Sequence, residues 1–89
     1  MRPIRPFVIV TLRASALEGT LDLEVPTDVP SGQLAADIVE QINATLKKAA
    51  LKGAGAQLRC ERLNRTLSRR ETFAEAGVWS GDIITLSNE

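Results

Sequence analysis

Histidine is absent from this chain, and cysteine occurs once, at Cys60. Without an imidazole, the commonest general base and the commonest metal ligand are missing. A lone thiol with no histidine beside it has no activating partner for nucleophilic catalysis, and it has no second thiol with which to form an internal disulfide. No Cys or His cluster exists to hold zinc. Cys60 falls at an inward position of a strand pattern and reads as a buried structural thiol. A chain built without disulfides fits a reducing, cytoplasmic setting. The six glycines form neither a phosphate loop nor a dinucleotide fingerprint, so no cofactor is expected. Glu18, Asp22, Glu24, Asp28, Asp37 and Glu40 are scattered and read as solvated edges of a strand and a helix. Nothing in the pattern supplies a pocket that would pair them for acid–base work. The expectation is a protein that is not an enzyme.

Aromatic residues are as scarce: Phe7, Phe73 and Trp79 are the whole set, and they offer no stacking platform for nucleic acid. Eleven Lys and Arg balance eleven Asp and Glu. Net charge therefore argues for neither nucleic acid nor an anionic membrane as partner. The longest apolar run, Phe7 to Val10, is far too short to cross a bilayer. The opening Met1-Arg2-Pro3-Ile4-Arg5-Pro6 is basic but lacks a signal-peptide core. Membrane insertion is not expected, and residues 1–6 read as a flexible, extended lead-in.

What is present suits one small domain over residues 7–86, followed by a short tail at 87–89. A chain of 89 residues buries roughly 60% of its unfolded surface, enough for one core but not for a deep cleft. Phe7 to Leu12 is β-branched and apolar and reads as a strand covered on much of both faces. After a loop from Arg13 to Gly19, Thr20 to Val25 alternates strictly, which turns Leu21, Leu23 and Val25 to a core. Pro26 ends that strand. Leu34, Ile38, Ile42 and Leu46 then recur every fourth residue, the stripe of a helix of about four to five turns. Ser31 is its candidate N-cap, with Pro30 at the first helical position as the alternative. Lys47, Lys48 and Lys52 suit its C-terminal dipole, and Gly53-Ala54-Gly55 is its stop.

Gln57 to Arg62 alternates again, with Leu58 and Cys60 inward and Arg59 and Glu61 outward. Leu63 to Leu67 turns into a very short strand. Thr72-x-x-Glu75 has capping-box spacing for one helical turn closed by Gly77, Ser80-Gly81-Asp82 reads as a turn, and Ile83 to Leu86 is the last strand. The order β-β-α-β-β-(short helix)-β predicts an α+β fold, a mixed sheet with one long helix on one face. The first and last strands lie side by side and parallel at its centre, which accounts for their consecutive apolar residues.

Two surfaces attract attention. Residues 14–46 hold six acids and no Lys or Arg, whereas 47–70 hold eight bases against Glu61 alone. The contrast reads either as a dipolar surface that aids solubility or as a basic patch for an acidic partner. On the sheet face away from the helix, Ile9, Ile83 and the stem of Arg59 point outward together, a candidate apolar patch. Trp79, just before the last turn, is poised to be half exposed, and Trp is favoured at binding hot spots.

Leu21-x-Leu-x-Val25-Pro, Asp28-Val29-Pro30 at the helix start, Thr66-Leu67, and Ala76-Gly77-Val78-Trp79-Ser80-Gly81-Asp82-Ile83-Ile84-Thr85-Leu86 together resemble ubiquitin-like domains. The pattern is most similar to the bacterial YukD/EsaB type of type VII secretion, and also to the ubiquitin-like domain of EccD-type components. The resemblance covers residues 7 to 86. It implies a β-grasp fold and a non-enzymatic accessory role, with secretion-system subunits as partners. Where ubiquitin has its central surface isoleucine this chain has Arg59, so standard ubiquitin receptors are not expected to bind it. The sequence ends Leu86-Ser87-Asn88-Glu89, without the Gly-Gly tail that conjugation requires, so non-covalent binding is the expectation. A modifier or sulfur carrier working with an activating enzyme is the rival reading, and an adaptor for a nucleic-acid machine is a third. The candidate protein interface is Ile9, Arg59, Arg62, Trp79 and Ile83. An uncovered sheet face or open edge strand leaves room for weak self-association.

Overall fold

A computed structural model describes residues 6–15, 17–47 and 55–88. The elements run β1 (Phe7–Ala14), β2 (Thr20–Pro26), α1 (Ser31–Leu46), β3 (Ala56–Cys60), β4 (Arg65–Thr66), α2 (Phe73–Ala76) and β5 (Ile83–Asn88). The strands form one sheet in the order β2-β1-β5-β3-β4. β1 and β5 are its parallel centre, with Thr11 opposite Ile83 and Leu12 opposite Ile84. All other pairings are antiparallel. This is the ubiquitin-like β-grasp arrangement that the element order predicts.

Alternation assigns the two faces. Val10, Leu12, Val25, Leu58, Cys60, Ile84 and Leu86 turn to one side and are buried. Leu34, Ala35, Ile38, Val39 and Ile42, the apolar stripe of α1, cover them. Phe73 and Val78, from α2 and the turn after it, close the core at one end, and Phe73 is wholly buried. Burying a side chain of that size stabilises the fold by about 1.5–3 kcal/mol. Among the described residues no helix covers the opposite face of the sheet, and the alternate residues of β1 and β5 face it.

The capping box of α2 is complete: Glu75 N–H donates to Thr72 Oγ1 at 3.1 Å, and Thr72 N–H donates to Glu75 Oε1 at 2.9 Å. Gly77 then adopts the left-handed region, with φ +83°, where glycine carries no Cβ penalty.

Four expectations need correction. Ser31 is not the cap of α1. Pro30 holds the N-cap position with extended backbone, and Ser31 is the first helical residue. Its buried hydroxyl donates instead to the Glu71 carbonyl at 2.8 Å, which also accepts the Ser31 N–H. α1 ends at Leu46, earlier than the glycine stop, because Lys47 takes the left-handed conformation and its N–H closes on the Ala44 and Asn43 carbonyls. Asn43 and Thr45, both weak helix formers, loosen that last turn. Lys48, Lys52, Gly53 and Ala54 lie outside the described residues, as do Met1 to Arg5 of the lead-in. Leu21 faces the helix side as expected but remains 41% exposed, at the loop end of an edge strand with no further strand beside it. The last strand continues past Leu86, pairing Ser87 and Asn88 with Gln57 and Ala56.

Candidate protein-interaction surface

On the helix-free face, the register sets Ile9 and Ile83 on neighbouring strands. Thr11 lies directly opposite Ile83, and Ile9 is two residues before Thr11, so the two isoleucines are diagonal neighbours within reach of each other. Ile9 is 49% exposed and Ile83 39%. Phe7, two further along β1, is 47% exposed and extends the row. These three side chains form an apolar strip that nothing among the described residues covers.

Arg59 stands beside the strip, opposite Thr85 in the sheet. Its guanidinium is not free to reach far: Nη2 donates to Asn64 Oδ1, and Nε lies 3.6 Å from Glu61 Oε1. Glu61 also accepts from Thr85 Oγ1 at 2.6 Å. That hydrogen bond, assisted by Arg59, holds the Glu61 carboxyl below its usual range. A Thr85–Glu61–Arg59 chain thus forms a polar rim along one side of the strip.

Trp79 and Arg62 meet where β5 begins. The Arg62 guanidinium lies 3.8 Å from the Trp79 ring centroid, a stacked cation–π contact. Asp82 fixes this arrangement from inside. Its Oδ1 accepts from Arg62 Nε at 2.8 Å, and its Oδ2 accepts from Arg62 Nη2 at 3.0 Å and from Trp79 N–H at 2.8 Å. Arg62 Nη2 also donates to the Gly77 carbonyl at 2.5 Å. Asp82 is only 7% exposed, and its carboxyl is held below the usual range, chiefly by Arg62 and also by Trp79 N–H, against the opposing effect of burial. Asp82 is therefore more than a turn former. It ties the end of β3 to the loop before β5 and leaves the Trp79 ring presented at 64% exposure.

Of the five candidate residues, the fold brings Ile9, Ile83 and Arg59 onto one face and pairs Arg62 with Trp79 at the start of β5. Arg62 contacts other parts of the chain on three sides, so it positions Trp79. Phe7, which extends the strip, and Asp82, which anchors the Arg62–Trp79 pair from inside, are not among the five candidates. An acid at the first position before an apolar strand, with an arginine two residues past the preceding long strand, is the signal that points to Asp82.

Several arginines of the basic stretch are held by other parts of the chain. Arg65 binds Glu71 bidentately, at 2.7 and 3.2 Å, and Arg69 donates to the Ala56 carbonyl at 2.8 Å. With Arg62 on Asp82 and Arg59 on Asn64, most of these guanidiniums serve the fold. Among the described residues no group of acids, histidines or cysteines is arranged to hold a metal, and no helix is long and apolar enough to cross a membrane. Cys60 is buried, with its thiol 3.7 Å from Asp82 Oδ2.

Comparison with known proteins places this architecture. The fold is similar to the EccD5 ubiquitin-like domain from Mycobacterium xenopi, with a TM-score of 0.75 at 17% identity over 94% of this chain and 96% of that one. It is also similar to the ubiquitin-like domain of the type VII secretion protein ECCD1 from Mycobacterium tuberculosis, with a TM-score of 0.70 at 18% identity over 93% and 99%. The ubiquitin of Caldiarchaeum subterraneum matches with a TM-score of 0.66 at 22% identity over 94% and 95%. At these identities the likeness is one of fold. No curated protein sequence matches the chain. Residues 7–86 match the family described as "WXG100 protein secretion system (Wss), protein YukD", and this chain belongs to that family.

Proposed function

We propose that this protein is a non-enzymatic interaction module, a cytoplasmic accessory of a WXG100 (type VII) secretion system, which binds a protein subunit of that machine non-covalently through the helix-free face of its sheet. The observation that carries this reading is the uncovered strip of Phe7, Ile9 and Ile83; Trp79, held exposed in the turn before β5 by Arg62 and Asp82, is a second apolar group presented to a partner. Apolar side chains aligned in a row with a polar rim have the make-up of a protein-binding hot spot. Family membership and the likeness to EccD ubiquitin-like domains support a subunit of the secretion system as partner.

The test is site-specific photo-cross-linking in cells that carry the secretion system. A photoreactive residue at Ile83 or Trp79 captures a secretion-system subunit, and one at Glu40, on the solvent side of α1, does not. Capture from Glu40 alone places the contact elsewhere. An adduct through the C-terminal carboxyl, found by intact mass after incubation with lysate and ATP, makes the protein a modifier and overturns the reading.

A further inference from the structure

The other end of the sheet offers a second surface of different character. β2 is an edge strand that pairs only with β1 among the described residues. Its hydrogen-bonding phase follows from three contacts. Thr27 N–H donates to the Pro6 carbonyl, so Thr27, Val25, Leu23 and Leu21 turn their backbone groups toward β1. Consistently, Thr11 N–H donates to Asp82 O and Gly81 N–H to Ile9 O, which leaves Val8, Val10 and Leu12 to face β2. The N–H and C=O groups of Asp22 and Glu24 therefore point away from the sheet. They are a ready row for another extended strand.

Beside this edge, between β2 and α1, runs a groove of about 200 Å³. Leu23, Val25, Val29, Leu34 and Ile38 give it an apolar strip, and Glu24, Gln33, Asp37 and Gln41 make most of the rest of its lining polar. The side chains of Asp22 and Glu24 flank the edge on the opposite side. Asp22, Glu24 and Asp37 are all exposed, and residues 14–46 contain no Lys or Arg; Asp22 accepts from Thr11 Oγ1 at 3.0 Å, and Arg13, opposite Thr20 on β1, is the base beside it in the sheet. Natural edge strands are often protected by charge, and here the charge is of one sign. Two copies joined edge to edge would set Asp22 and Glu24 of one against those of the other, which disfavours self-pairing.

We infer that the β2 edge is a docking site for an extended basic peptide segment, one that adds a strand beside Asp22 and Glu24, sets alternate apolar side chains into the β2–α1 groove, and directs Lys or Arg to the acids on either side. Backbone pairing supplies the binding register, the groove selects apolar residues at every second position, and the acids select the charge. This surface is separate from the Phe7–Ile83 strip, so each is testable without the other.

The probe is a capped peptide of alternating Val and Lys with the seven-residue length of β2, titrated into the isotopically labelled full chain and followed by amide chemical shifts. The expected result is saturable shifts at Asp22, Glu24, Gln33 and Gln41, with the Asp22 and Glu24 amides protected from exchange. The same peptide N-methylated at every backbone amide, which removes the donors of both edges without changing charge, abolishes the exchange protection and weakens binding at least ~10-fold. The variant Asp22→Lys/Glu24→Lys also binds ~10-fold more weakly, and it binds a Val/Glu peptide instead. Equal binding of the N-methylated peptide reduces the effect to charge adsorption and overturns the proposal. So do shifts centred on Ile9 and Ile83, absence of shifts at millimolar peptide, or a β2-mediated dimer in solution.

Discussion

Replacing Asp82 tests how the interaction surface is built. The carboxylate accepts one bond on Oδ1, from Arg62 Nε, and three on Oδ2, from Arg62 Nη2, Trp79 N–H and the Cys60 thiol. In Asp82→Ala the Arg62 guanidinium is exposed enough to find water, whereas the part-buried Trp79 N–H loses its acceptor. An unsatisfied donor of this kind together with a lost charged acceptor costs about 2 kcal/mol. For a domain of this size that lowers Tm by about 8–16 °C. Asp82→Asn keeps an oxygen on the three-donor side but sets its amide N–H₂ against Arg62 Nε, donor to donor, and costs about 1 kcal/mol.

The acid dependence has a definite sign. Asp82 titrates lower in the folded chain than in the unfolded one. Its contribution is therefore complete above the ordinary aspartate value of about 3.9 and is lost as pH falls through the lower folded value. Thermal melts followed by circular dichroism at pH 7 and at stepwise lower pH read both effects, and fluorescence of the single Trp reads release of its ring from Arg62. A Tm for Asp82→Ala within ~2 °C of the parent, an unchanged Trp79 spectrum, or a gap that persists unaltered below pH 3.9 refutes the reasoning.

Further consequences are as direct. Thr72→Ala removes one half of the capping box and is expected to cost about 1 kcal/mol in chemical denaturation. Leu58→Ala empties a fully buried site and costs about 2–5 kcal/mol, whereas Leu21→Ala, on the same side of the sheet but 41% exposed, costs well under half of that; equal losses contradict the placement of Leu21. The Cys60 thiol, buried against Asp82, is expected to resist a thiol reagent in the native protein and to react at the unfolded rate in denaturant; prompt native reaction places it at the surface.

The elements that depend on local pattern were legible from the sequence. Strict alternation assigned Ile9 and Ile83 to one face and Val10, Leu12 and Ile84 to the other, and Thr72, Glu75 and Gly77 announced α2 with both of its caps. What escaped depends on contacts between distant residues. Ser31 has the composition of an N-cap, but its hydroxyl is taken by the Glu71 carbonyl forty positions on. Asp82 has the composition of a turn, and its partner Arg62 is twenty residues away, brought near only when β3 pairs with β5. Lys47 ends α1 in a left-handed conformation that no glycine marked. The row of bases from Arg59 to Arg69 suggested a patch, and only the folded chain shows that their guanidiniums go to Glu71, Asp82, Asn64 and the Ala56 carbonyl.

The central claim, that this ubiquitin-like module binds its secretion partner through the helix-free sheet face, is tested most directly by calorimetric titration of the subunit captured by cross-linking with the parent protein and with Ile9→Glu/Ile83→Glu. Both side chains are exposed, so the variant is expected to melt within a few degrees of the parent. Its affinity is expected to fall at least ~30-fold, as for the loss of two apolar hot-spot contacts. An unchanged affinity in a folded variant contradicts the account.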